Sequence, residues 1–229
     1  MGGVIGMEEA RALVADRALW PLVRNFLWDF APQIHPSRTA ALLQGGAGAG
    51  GGAALPADAA VLAASPHVKA WLLRSLGVET FFHPFPKDDS SRLALLDFAT
   101  LDSIAKWLGA LACADALRGV TSGAEVRALK AALPGIYPDV FGFTAYFRGL
   151  SAPAEQAAKT PEGVAALGRS MLFSLFAPLP PQIAARAELK FPEDFRAGEA
   201  GSSAPAVPPQ ALAKLLKLKF PEAYSLCCC

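Results

Sequence analysis

Charge is scarce in this chain. Asp, Glu, Lys and Arg make up 18% of its 229 residues, against about 25% in typical globular domains. The 21 basic and 20 acidic side chains nearly cancel, leaving a formal net charge of +1. That balance lacks the basic field nucleic-acid binding requires, so no nucleic-acid partner is expected. A long apolar run is missing too. The most hydrophobic stretch is interrupted by Asp102, Lys106 and Asp115, well short of the roughly 18 residues that mark a membrane span. The opening MGGVIGMEEARAL places Glu8 and Glu9 where a signal peptide carries basic residues, so a soluble, unexported protein is expected. Cysteine is sparse and badly placed for a disulfide framework: Cys113 stands alone and Cys227, Cys228 and Cys229 are adjacent. A prenylation box would need Cys where Leu226 stands. A zinc site would need paired C-x-x-C or His partners nearby. The tail over 224–229 is therefore read as disordered.

Apolar residues at helical spacing are abundant, and no segment sustains the period-two alternation of a strand. The expected fold is all-α: a single irregular multi-helix domain over 1–229 with Pro/Gly-rich loops and no significant sheet. Residues 7–30 read as helix divided near Pro21, with Leu22, Phe26, Leu27 and Phe30 on one face. Pro66 and Gly77 bracket a helix, the proline at its start and the glycine at its end. Ser90 or Ser91 caps a short helix ending near Phe98, and Thr100 caps the next. On that next helix Leu101, Ile104, Ala105, Leu108 and Leu111 form the apolar stripe, with Trp107 at its rim and Cys113 opposite. A break is expected near Asp115, which would otherwise fall on the stripe. Ser122 and Glu125 read as a capping box. A helix is expected from Pro138, Thr160-Pro161-Glu162 is a strong helix start, and residues near 181–190 form one more short helix. A flexible Gly-rich loop spans 44–54, a Pro/Ser-rich linker 197–209, and an amphipathic C-terminal helix 210–220.

Candidate chemistry is thin. The G-x-G-x-G within 45–52 lacks the Gly-Lys-Ser/Thr and the preceding strand of a phosphate loop. His35, His67 and His83 are scattered, and a metal site would need them to converge with acidic partners. Asp88-Asp89 share one Ser-rich loop, whereas paired acid/base carboxylates need contrasting environments. The aromatic clusters Phe81-Phe82-Phe85 and Tyr137-Phe141-Phe143-Tyr146-Phe147 fit a core better than a binding surface, though either use is open. No catalytic, cofactor-binding or metal residue is assigned, and no cofactor is expected.

A family resemblance goes further. RLALLDFATLDSIAKWLGALACADALRGVTSGAEVRALKAAL, residues 92–133, resembles the central signature of the SctK (YscK-like) proteins of bacterial type III secretion. FAPQIHPSR at 30–38 and LAKLLKLKFPEAYSL at 212–226 resemble an N-terminal segment and the C-terminal basic helix of that family. The Gly tract and the triple-Cys end depart from it. The resemblance implies a non-enzymatic structural adaptor of the sorting platform, located in the cytoplasm against the inner-membrane injectisome base. Its implied partners are the cytoplasmic domain of the inner-membrane ring D component and the Q-component pods. The L stalk and N ATPase would be reached indirectly.

Two other classes stand beside this one: a cytosolic type III secretion chaperone or regulator, which is usually more acidic, and an uncharacterised helical enzyme using the histidines. A bridge needs exposed contact surfaces. The C-terminal helix offers a basic strip, Lys214, Lys217 and Lys219, beside Leu212, Leu215 and Leu216. That helix either contacts a partner or packs on the core with its lysines solvated.

Overall fold

Among the described residues, proline opens half of the helices. With its φ fixed near the helical value and no N–H to leave unsatisfied, it suits a first-turn position. Pro36, Pro66, Pro161, Pro181, Pro209 and Pro221 each start one. The computed structural model describes residues 16–46, 65–78, 89–147, 149–150, 152, 157–196 and 205–227. These residues form twelve α-helices and three short 3-10 segments, with no strand among them, so the fold is all-α. The helices are α1 (Leu19–Trp28), α2 (Pro36–Gly46), α3 (Pro66–Ser75), α4 (Asp89–Leu93), α5 (Phe98–Ala112) and α6 (Ala114–Arg118). They continue as α7 (Gly123–Ala132), α8 (Val140–Phe143), α9 (Pro161–Phe176), α10 (Pro181–Leu189), α11 (Pro209–Lys219) and α12 (Pro221–Cys227). The glycine tract past Gly46, the Phe81-Phe82-Phe85 cluster with His83 and Asp88, residues 197–204 of the linker, and Cys228 and Cys229 lie outside the described residues.

The chain divides into two compact units: Met1–Asp97 with Leu179–Glu193, and Phe98–Pro178 with Asp194–Cys229. In the first, Leu19, Val23, Phe26, Leu27 and Phe30 are buried. Leu22, expected inward, is 37% exposed because Val23 takes the i, i+3, i+4 stripe in its place. The Asp16 carboxylate accepts the Ala18 and Leu19 N–H groups at 3.0 and 2.9 Å, which fixes the start of α1. Lys69 of α3 pairs with Asp29 at 2.7 Å. The α10 end is tied in through backbone carbonyls: the His35 N–H donates to Leu189 O at 2.9 Å and Arg38 Nε to Phe191 O at 2.7 Å.

Lys190 completes this core from inside. It is 2% exposed. Its Nζ donates to the carbonyls of Ala94 and Leu96, both at 2.7 Å, and stands 5.0 Å from the centre of the Phe26 ring. These carbonyls follow α4, which ends at Leu93 rather than near Phe98. The ammonium thus satisfies acceptors that no further helical turn satisfies. Burial pulls the Lys190 pKa down to about 7, against an opposing pull from Asp97.

In the second unit α5 lies against α9. Leu101, Ile104, Ala105, Leu108 and Leu111 are buried as their spacing predicts, each large one contributing about 1.5–3 kcal/mol. Facing them, Val164, Leu167, Met171, Leu172 and Phe176 are buried on α9. The two backbones touch. A Cβ on Gly109 would overlap the Val164 carbonyl oxygen, and one on Gly168 the Ala105 carbonyl oxygen. Thr160 caps α9 as its sequence predicts, Oγ1 accepting the Gly163 N–H at 3.3 Å.

Several expectations are corrected here. The helix α5 starts at Phe98, so Thr100 lies within its first turn rather than capping it. Trp107 and Cys113 are both buried, because α5 is covered on more than one side. The Ala152 N–H reaches Ala112 O at 2.9 Å, and the Ala158 N–H reaches Cys113 Sγ at 3.3 Å. Burial pushes the Cys113 thiol pKa up. The break expected near Asp115 comes at Cys113. Ser122 occupies the N-cap position of α7 without a side-chain cap bond, so no capping box forms. The tail from Tyr224 to Cys227 is helical and Cys227 is 1% exposed. Pro221 opens that last helix, and Ala223 and Cys227, four residues apart, share its buried side, with Cys227 acting as a small hydrophobe.

Two outcomes are expected. Gly168→Ala should cost about 1–3 kcal/mol or more in a urea melt, because two backbones must separate. Gly142→Ala, with open space around it, should change stability by under about 1 kcal/mol. For Lys190 the native state binds fewer protons than the unfolded chain between about 7 and 10.5, so its contribution to stability rises with pH across that window. Lys190→Met should flatten this rise in melts at successive pH values.

Candidate interaction surface

The helix α11 begins where Pro208-Pro209 fixes the chain for its first turn and ends at Lys219. Leu212, Leu215 and Leu216 turn inward and are buried. Lys217 and Lys219 fall in its last turn, where the helix dipole favours cations. After Phe220 the chain enters α12, and the Tyr224 N–H donates to Phe220 O at 2.8 Å.

Each lysine of the strip stands over an aromatic ring. Lys214 Nζ is 4.8 Å from the Tyr146 centroid and Lys217 Nζ is 5.9 Å from that of Tyr224. Lys219 Nζ lies between two rings, 4.4 Å from Trp107 and 4.1 Å from Phe143. Those two rings meet edge to face, with centroids 5.8 Å apart and planes at 86°. A ring face carries partial negative charge, so each contact contributes about 0.5–1 kcal/mol where exposed and more where water is displaced.

The segment that carries these rings is itself anchored. Arg118 Nη2 donates to Thr144 Oγ1 at 2.7 Å, and Nη1 pairs with Asp115 at 3.1 Å. The same guanidinium lies 5.7 Å from the Phe141 centroid. This holds α8 and the following 3-10 turn, Thr144–Tyr146, in register. The aromatic cluster is therefore split: Phe147 is core, while Tyr146 is 58% exposed. Lys214 and Lys217 are exposed and Lys219 is half-buried. Leu218 is 47% exposed, one helical turn from Lys214. The ion pairs Lys69–Asp29, Lys106–Asp102 and Arg118–Asp115 do not take in the strip.

The other candidates are placed as follows. Nδ1 of His35 accepts the Ser37 N–H at 3.2 Å and lies 2.8 Å from Ser37 Oγ. His67 is exposed on α3. Among the described residues no group of three His, Cys, Asp or Glu side chains is arranged to hold a metal ion. The basic strip and the aromatic cluster were both legible as patterns. Their pairing was not, because about seventy positions separate Tyr146 from Lys214 and no local spacing reports it.

Residues 53–135 match the family model described as YOP proteins translocation protein K, YscK. The match takes in α3 to α7 and Trp107, and ends before Phe143, Tyr146 and α11. No curated protein matches the chain, and neither does any solved structure.

Replacing Lys219 by Ala should lower stability by about 1–2 kcal/mol in a denaturant melt, and Lys219→Arg should retain most of it. Equal losses in both variants would show that the charge over the rings contributes nothing.

Proposed function

We propose that this chain, whose residues 53–135 match the YscK family model, is a type III secretion protein and a non-enzymatic adaptor of the sorting platform. It joins the cytoplasmic domain of the inner-membrane ring D component to the Q-component pods, and through the pods communicates with the L stalk and N ATPase. The family match is the observation that carries this reading. The resemblance of residues 30–38 and 212–226 to the family extends its support beyond the matched range. No helix among the described residues is long and apolar enough to cross a membrane, which is compatible with peripheral attachment at the cytoplasmic face.

A bridge needs two contact surfaces that do not compete. The division into two compact units, each with its own buried side chains, supplies a material basis for that. The strip of Lys214, Lys217 and Lys219 is proposed as one contact. The buried Leu212, Leu215 and Leu216 serve that contact by holding α11 in place rather than by touching the partner.

The test is a purified mixture of the full chain with the D-component cytoplasmic domain and the Q component. A three-way complex should elute together in size-exclusion chromatography, with each partner also binding in the absence of the other. Binding to neither, or displacement of one partner by the other, would overturn the adaptor role.

A further inference from the structure

We infer that the face formed by Lys214, Lys217, Leu218, Tyr146 and Tyr224 binds an acidic protein segment that carries an apolar side chain among its carboxylates. The inference rests on the adaptor reading only in taking the partner to be a protein. Three cations lie within about 8 Å along the axis of α11, and no carboxylate among the described residues pairs with them. Lysine side chains ordinarily lose considerable rotamer freedom on binding, up to about 2 kcal/mol each. Here Tyr146 and Tyr224 already hold the Lys214 and Lys217 ammoniums at defined positions. A ring contact neutralises no charge, so the ammoniums stay available to carboxylates while part of the ordering cost is met in the free protein.

The apolar component follows from the same face. Leu218 is 47% and Tyr146 58% exposed, and Leu218 stands one turn along α11 from Lys214. A partner with carboxylates alone would leave both uncovered. Nucleic acid fits less well. The net charge is +1, the strip has no arginine fork for phosphate, and phosphate-backbone binding draws on a broad basic field. The acidic segment satisfies both features at once, through charge complementarity and apolar contact.

The test uses the full chain and a short fluorescent Glu-rich peptide with a central leucine, followed by anisotropy. Comparison probes are the same peptide with the leucine replaced by serine, a single-stranded oligonucleotide, and vesicles of phosphatidylserine and phosphatidylcholine. The leucine peptide should bind, more weakly at raised salt, and more tightly than the serine peptide. Lys214→Glu with Lys217→Glu should weaken it by about tenfold or more. Tyr146→Leu, which alters no charge, should weaken it about threefold by freeing the Lys214 head. Arg127→Glu with Lys130→Glu changes net charge equally on the exposed face of α7 and should leave binding intact. Circular dichroism melts confirm that each variant folds. Equal loss in the α7 control, no effect of the α11 pair, or binding of the oligonucleotide or vesicles in preference to the peptide would overturn the inference. The peptide result stands apart from the three-way complex: a chain that binds the peptide but bridges no ring to pods keeps this surface and loses the adaptor role.

Discussion

Gly109 and Gly168 meet where α5 and α9 cross, and much of the second unit follows from that approach. Neither position tolerates a Cβ, since each faces a backbone carbonyl of the other helix. With nothing between them the helices come close enough for Ala105 to lie in the seam and for Ile104 and Leu108 to be fully buried. Interiors are packed near crystal density, so a crossing this tight fixes orientation as well as distance. Trp107, two residues from Gly109, is thereby held where it meets Phe143 at a near-perpendicular ring angle and lies under Lys219. The surface chemistry of α11 thus depends on a contact made by residues with no side chain.

The lysine strip shows a second economy. An amphipathic helix with buried leucines and outward lysines is commonplace, and solvated lysines contribute little to recognition. Aromatic rings beneath the ammoniums change this by narrowing their positions without cancelling their charge. Lys219 is the most restrained, between two rings, and acts chiefly to fasten the end of α11. Lys214 and Lys217 are nearer solvent and face outward from single rings. Arg118 braces the ring-bearing segment through Asp115, Thr144 and Phe141 together. Structure and prospective contact therefore share one set of side chains.

Much of the fold was legible because its signals are local. Prolines at first turns, Gly77 with its positive φ at the end of α3, and Thr160 as a cap each act within a few residues. The stripe on α5 was legible for the same reason. What escaped depends on neighbours distant in sequence. Lys190 looks like an ordinary surface lysine in AELKFP, yet its ammonium reaches carbonyls almost a hundred positions earlier. The burial of Trp107 and Cys113 is not written in the α5 stripe, because one stripe does not reveal a helix covered on several sides. Ser122 had the residues of a capping box but not its hydrogen bond. The last helix is signalled only by Pro221 and the Ala223–Cys227 spacing, and its seven residues are too few to show a helical period. The family signature lay in the helical middle, whereas the exposed basic and aromatic residues lie C-terminal to the match.

The central claim is that this chain, similar over residues 53–135 to YscK, works by contact, with the α11 face proposed to lie against a component of the secretion platform. Photo-crosslinking from position 146 in the assembled system of the native host tests it most directly, with Tyr146→benzoylphenylalanine as the probe. Tyr146 is exposed and lies against Lys214, so a partner seated on the strip falls within reach. The account predicts a specific cross-link to the ring D component or the pod Q component, mapping to an acidic segment and weakened by Lys214→Glu. A cross-link to a secreted client, or none to either component while the system secretes normally, would contradict it.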